Sequence, residues 1–99
     1  MASFITLQAA ETLTHTYQRS TLAQNQTISG FSEADKIQQL LDQSGCDGIR
    51  IYLSLNASGK LTFVLVGIDS NGDDIIPGDI LDTLELCPPY CPGNSPLML

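Results

Sequence analysis

The sequence has little positive charge and no stretch that could cross a membrane. Four Lys and Arg residues stand against eleven Asp and Glu residues, which gives a net charge of −7 at pH 7. Nucleic acids and anionic membranes are bound mainly by basic side chains, so this balance argues against both as partners. No apolar run approaches the ~20 residues of a membrane-spanning helix, and the N-terminus lacks the pattern of a signal peptide. We therefore predict an acidic, cytoplasmic protein.

Histidine and cysteine are also scarce, and no catalytic motif is present. The chain has one His and three Cys, an odd number that leaves at least one thiol unpaired within the chain. It contains no nucleophile-elbow, zinc-protease, phosphate-loop or dinucleotide-binding motif. The sequence therefore predicts a protein that is not an enzyme.

The residues that are present suffice for one domain. The chain has 99 residues, of which 42% are hydrophobic. A chain of this length can bury roughly 60–70% of its unfolded surface, so it can fold without metals or disulfides. We predict a single domain over residues 1–99.

The clearest pattern is a β-hairpin over residues 48–68, where two apolar runs flank a polar break at 56–60. The first strand alternates apolar and more polar residues, which indicates a half-buried strand. Its apolar face consists of Ile49, Ile51, Leu53 and Leu55. The second strand is apolar on both faces and so requires cover on both. The face that carries Val64 and Val66 has no predicted cover.

Helices are predicted on the N-terminal side of this hairpin. One spans 7–19 and follows a Thr6 cap. The other spans 32–44, with Ser32 itself as its cap. The residues between them, 20–30, read as a loop. The predicted fold class is therefore α+β, with two N-terminal helices packed on a small antiparallel sheet.

The residues after the hairpin complete this prediction. Asn71-Gly72 is a strong turn signal, so 74–76 could add a third strand and turn the hairpin into a meander. Residues 80–86 fit either a helical turn or an edge strand. The segment 87–99 holds four of the five prolines, which predicts a proline-rich, extended C-terminal tail.

Three segments carry a resemblance to a known group of proteins: GIRIY at 48–52, LVGID with NGDD at 65–74, and CPPYC at 87–91. The chain resembles a family of small uncharacterised bacterial proteins with a helical N-terminal half, a GIRxY hairpin and a CPPxC tail. The resemblance implies a stand-alone bacterial domain. It implies no activity and no functional residue.

The cysteines allow three interpretations. The C-x3-C spacing of Cys87 and Cys91 suits a zinc-ligand pair, and Cys46 and His15 would complete a Cys3His set. A Cys87–Cys91 disulfide would instead need a tight turn, because an extended Pro-Pro segment would separate the two Cα atoms by ~12 Å. The third interpretation, which we prefer, is two free thiols in a stiff tail.

The remaining polar features have structural interpretations. Residues 69–85 hold six carboxylates and no Lys or Arg, but Gly72 is misplaced for a calcium loop and no Glu stands at the twelfth position. We interpret the segment as a solvated turn. Arg50, in the middle of a strand, should pair with a carboxylate or lie beside Tyr52 on the exposed face.

Together these observations predict a non-enzymatic structural or interaction protein whose partner is a protein, and most simply itself, in a homo-oligomer. The candidate interface residues are Tyr52, Val64, Val66, Leu97 and Leu99. The alternative is a metal- or redox-linked regulatory module that uses the cysteines, with zinc as its cofactor.

Overall fold

A computed structural model describes residues 1–99. It confirms an α+β fold with two helices and small antiparallel sheets. The elements in chain order are α1 Leu7–Arg19, a 3-10 turn Thr21–Ala23, β1 Ser29–Phe31, α2 Ala34–Leu41, β2 Gly48–Leu55, β3 Leu61–Ile68, β4 Ile80–Leu81 and β5 Glu85–Cys87.

Strands β2 and β3 form the hairpin, with Tyr52 opposite Val64 and Leu55 opposite Leu61. The side chain of Asn56 organises the turn between them, because its Oδ1 accepts hydrogen bonds from the backbone N–H groups of Ser58 and Lys60. Gly59 lies in the left-handed region at φ 75°, where a residue without a β-carbon is unstrained. Interactions among neighbouring residues of the turn therefore close this hairpin.

The third strand of the meander is β4, and the predicted strand at 74–76 is wrong. Asp74 makes only an isolated bridge to Ile68, and Pro77 then interrupts pairing because it has no N–H to donate. The chain returns to the sheet at β4, where Ile80 lies opposite Val66 and Leu81 lies opposite Leu65. The order of the sheet is β2-β3-β4.

Helix α2 is shorter than predicted and lies against this sheet. Its N-cap is Glu33 rather than Ser32, and no side chain caps it. The helix ends at Leu41, while Gly45 lies beyond it at φ 76°. Leu40 is only 2% exposed, which makes α2 the helix that contributes to the core.

A second, two-stranded sheet joins β1 and β5, with Ser29 opposite Cys87 and Phe31 opposite Glu85. This pairing corrects the end of the loop predicted over 20–30, since Ser29 and Gly30 belong to β1. Of the predicted tail over 87–99, only Cys87 takes part in it. The two strands are three residues each and are more than fifty positions apart, so no local periodicity marks them.

Helix α1 lies outside the core. Thr6 caps it by accepting a hydrogen bond from the N–H of Ala9 at 3.1 Å, but none of its residues is buried. Its polar side chains instead hold the C-terminal tail: Gln18 bonds the backbone of Leu97 and Leu99, and His15 bonds the carbonyl of Pro96. The chain therefore has one packed helix and one helix with an open face.

Candidate functional site

The most conspicuous surface of the molecule is a row of exposed aliphatic side chains on β2. Ile51 is 61% exposed, and Leu53 and Leu55 are each 69% exposed. Alternation along a strand places all three on one face of the sheet. We call these three residues the β2 row. The expectation that this apolar face is buried is wrong.

The cover of this sheet face is displaced toward β3. A β-carbon added at Gly67 would lie 2.9 Å from Nε2 of Gln43 and 3.0 Å from Sγ of Cys46, so the chain just after α2 lies over that end of β3. A β-carbon at Gly30 would lie 3.1 Å from the Phe63 ring, so β1 covers the other end. Positions 63 and 67 share the face of the β2 row. Both covering segments therefore leave that row open.

The outer edge of β2 is unpaired as well, since its only neighbour is β3. The N–H of Asn56 donates to the carbonyl of Lys60. In an antiparallel pair such bonds recur at every second residue, so the backbone groups of Leu55, Leu53 and Ile51 point away from β3. The strand contains no Pro, Lys, Asp or Glu, the residues that commonly protect an edge from pairing. The β2 row thus adjoins a free hydrogen-bonding edge.

The opposite face of β2 carries a polar cluster. Nη1 of Arg50 contacts Oδ1 of Asp74 at 2.7 Å, Nη2 donates to the carbonyl of Gly72, and the Tyr52 hydroxyl donates to Oδ2 of Asp74 at 2.5 Å. The neighbouring hydroxyl of Tyr52 and the charge of Asp74 raise the pKa of Arg50 above its usual range. The predicted pairing of Arg50 with a carboxylate is confirmed. The cluster fastens the 69–74 turn to β2.

The predicted interface residues lie in different settings. Val66 is only 3% exposed and is not available to a partner, while Val64 is half-buried opposite Tyr52. Tyr52 is 45% exposed, but its hydroxyl is occupied by Asp74. Leu97 and Leu99 are exposed, and their backbone groups bond α1 rather than the sheet. The alternation in β2 had marked the β2 row as apolar without revealing that it lacks cover.

The cysteines and the histidine do not form one cluster. Cys87 and Cys91 are joined by a disulfide with their Cα atoms 4.6 Å apart, which corrects the preference for two free thiols. The segment between them is not extended: the N–H of Tyr90 bonds the carbonyl of Leu86. Cys46 is free beside Gly67, and His15 bonds the tail. No group of three or more His, Cys, Asp or Glu side chains is arranged to hold a metal ion.

Three of the six carboxylates of 69–85, those of Asp69, Asp74 and Asp79, bind their own chain. Oδ1 of Asp69 accepts from the N–H groups of Asn71 and Asp73, which closes the turn. Asp79 accepts from the side-chain amide of Gln39 on α2. These bonds agree with a structural turn.

A cavity of about 750 Å³ that is lined mostly by polar residues lies between the hairpin turn and the turn after β5. Its groups also serve the fold. Gln26 accepts hydrogen bonds from the N–H groups of Thr27 and Leu61, and Nζ of Lys60 bonds the carbonyl of Asn25. These hydrogen bonds hold the segments that border the cavity.

Comparison with known proteins gives no relative for this arrangement. No protein-family model matches the chain, and no curated protein or solved structure is significantly similar to it. The resemblance to small bacterial proteins therefore stays a prediction. Neither helix has the length and apolar character needed to cross a bilayer.

Proposed function

We propose that this chain is a non-enzymatic structural or interaction protein, a subunit that associates with further copies of itself. The observation that carries the proposal is that the chain exposes more surface than a folded monomer of its mass. The chain exposes 7164 Å², whereas a folded monomer of 10.6 kDa exposes about 5,500 Å² by the scaling of surface with mass. The excess is about 1,700 Å² on that scaling.

The chain is also less compact than expected for its length, which supports the same proposal. The radius of gyration is 15.0 Å, against about 13 Å for a compact chain of 100 residues. Only 7 of the 99 residues are buried. A standard protein interface buries about 800 Å² on each partner. The excess surface is thus large enough to form a stable contact with another chain.

The chemistry of the open surface favours a protein partner. The β2 row consists of aliphatic side chains, which do not attract a charged ligand. The free backbone groups at the adjoining edge can pair with another strand. The net charge of −7 opposes nucleic acid and anionic membranes. We include in the proposal the cytoplasmic location that the sequence predicts and the bacterial origin that the resemblance implies.

Native mass spectrometry of the protein, purified under reducing conditions, tests this function because it reads subunit number and bound metal together. We expect a metal-free species at a multiple of 10.6 kDa. Sedimentation velocity at micromolar concentration provides an independent mass. A chain that stays at the mass of one copy in both measurements would contradict the proposal.

A second candidate, a redox-linked module, is favoured by the Cys87–Cys91 disulfide. Cys87 is fully buried and Cys91 is exposed, so a reductant would reach the pair from one side. Thiol counting on protein isolated without reductant tests this candidate. One reactive thiol per chain in denaturant corresponds to the disulfide form, and three correspond to the reduced form that a cytoplasm maintains.

A further inference from the structure

We infer that copies of this chain associate through the open edge of β2, in an antiparallel pair whose twofold axis passes beside Leu53. This inference rests on the proposed self-association and specifies its interface. The juxtaposition that carries it is a free strand edge directly beside the exposed β2 row.

The register follows from the direction of the backbone groups. Ile51, Leu53 and Leu55 point their N–H and C=O groups outward, so they are the residues that can hydrogen-bond a new strand. With Leu53 opposite the partner's Leu53, Ile51 lies opposite the partner's Leu55. The two three-stranded sheets would then join into one sheet of six strands. The two β2 rows would lie side by side on one face, where their side chains contact each other across the new strand pair.

A second copy fits this edge better than another protein because the edge is complementary to itself. The exposed row has Leu53 at its centre, and a twofold contact requires the same patch on both subunits. The strand carries no acidic residue, and its one charge, Arg50, is neutralised by Asp74. The copies can therefore meet here with little of the repulsion expected between chains of net charge −7.

A cysteine at position 53 tests the register. The variant Leu53→Cys is made together with Cys46→Ala, so that position 53 carries the one free thiol beside the Cys87–Cys91 disulfide. Directly opposed residues of a hydrogen-bonded pair have Cα atoms about 5.5 Å apart, within disulfide range. Oxidised glutathione should convert most of the protein into a covalent dimer on a non-reducing gel. Ser58→Cys in the same background, at the exposed hairpin turn, should remain uncoupled.

The substitution Leu53→Lys tests the contact itself. Leu53 is 69% exposed, so the charge should not disturb the fold of one copy, but it would place two ammonium groups together at the twofold axis. We expect the mass in solution to fall to that of one copy with an unchanged circular dichroism spectrum. Leu22→Lys is the matched control, because Leu22 is 74% exposed on the 3-10 turn, and it should keep the wild-type mass.

The outcomes separate the interface from the function. A wild-type oligomer that Leu53→Lys leaves intact, and in which Leu53→Cys does not cross-link, overturns the interface and leaves self-association standing. A monomeric wild-type protein overturns both the interface and self-association, and the exposed β2 edge would then be open to a different partner. Cross-linking at position 53 together with dissociation by Leu53→Lys supports both.

Discussion

The contact between β3 and the chain after α2 can be tested at a single glycine, because it leaves no room for a side chain at position 67. Gly67 is buried, and an added β-carbon would lie 2.9 Å from Nε2 of Gln43, 3.0 Å from Sγ of Cys46 and 3.3 Å from Cδ1 of Ile75. The substitution Gly67→Ala must therefore displace at least two neighbours.

The magnitude depends on how firmly Gln43 is held. Its Nε2 donates to the carbonyl of Leu40 at 2.9 Å, and its Oε1 accepts from the N–H of Asp79 at 2.8 Å. Moving the amide away from a β-carbon disturbs both bonds, each of which contributes about 1 kcal/mol. We expect Gly67→Ala to lower the free energy of unfolding by about 1–2 kcal/mol. The Tm should fall by roughly 5–15 °C, the shift expected for a domain of this size.

Thermal unfolding followed by circular dichroism at one fixed protein concentration measures this effect. Gly93→Ala is the control, since a β-carbon there would meet no atom within 4 Å, and its Tm should stay near the wild-type value. The double variant Gly67→Ala with Gln43→Ala should lose less stability than the two single losses added together, because the clash disappears with the amide. An unchanged Tm for Gly67→Ala would refute the close packing of this segment on β3.

Three further measurements probe the rest of the molecule. If association and folding are coupled, the wild-type Tm should rise by about 4 °C for each tenfold increase in protein concentration, from the enthalpy of two such chains; a Tm independent of concentration would argue against obligate association. Replacing both Cys87 and Cys91 by Ser should lower stability by about 2 kcal/mol, the entropy of closing so small a loop, while the circular dichroism spectrum keeps its shape; loss of the spectrum would show that the pair is required for folding. Thr6→Ala removes the cap of α1 and should lower helicity at 222 nm at a cost of about 1 kcal/mol, whereas Ser3→Ala should have no effect; equal signals from both variants would contradict the capping bond.

The candidate site was visible in the sequence only in part. The alternation of Ile51, Leu53 and Leu55 marked an apolar face, but periodicity does not report whether another element covers that face. The predicted interface includes Val66, which lies opposite Ile80 of β4 and is only 3% exposed. An edge strand within residues 80–86 was one of two alternatives, and the two residues of β4 are too few for periodicity to decide between them.

The state of Cys87 and Cys91 also could not be predicted from local sequence. The spacing of Cys87 and Cys91 allowed a zinc pair, a disulfide or free thiols, and only the path of the chain distinguishes them. Pairing of β5 with β1 and the bond from Tyr90 to Leu86 turn the chain back on itself. The two Cα atoms thereby come within 4.6 Å of each other, which an extended Pro-Pro segment would have prevented.

Elements that depend on neighbours along the chain can be read from the sequence. The hairpin follows from period-two alternation and from a turn in which Asn56 and Gly59 supply the necessary hydrogen bonds and dihedral angles. The start of α1 follows from the cap at Thr6. The positions of α2 and β1 on the sheet depend on tertiary packing, and with them the cover of β3 and the exposure of the β2 row. Cover depends on contacts between segments that are distant in the chain. The segment after α2 approaches β3 closely at Gly67, and β1 approaches Phe63 of β3 at Gly30, whereas Ile51, Leu53 and Leu55 of β2 stay 61–69% exposed.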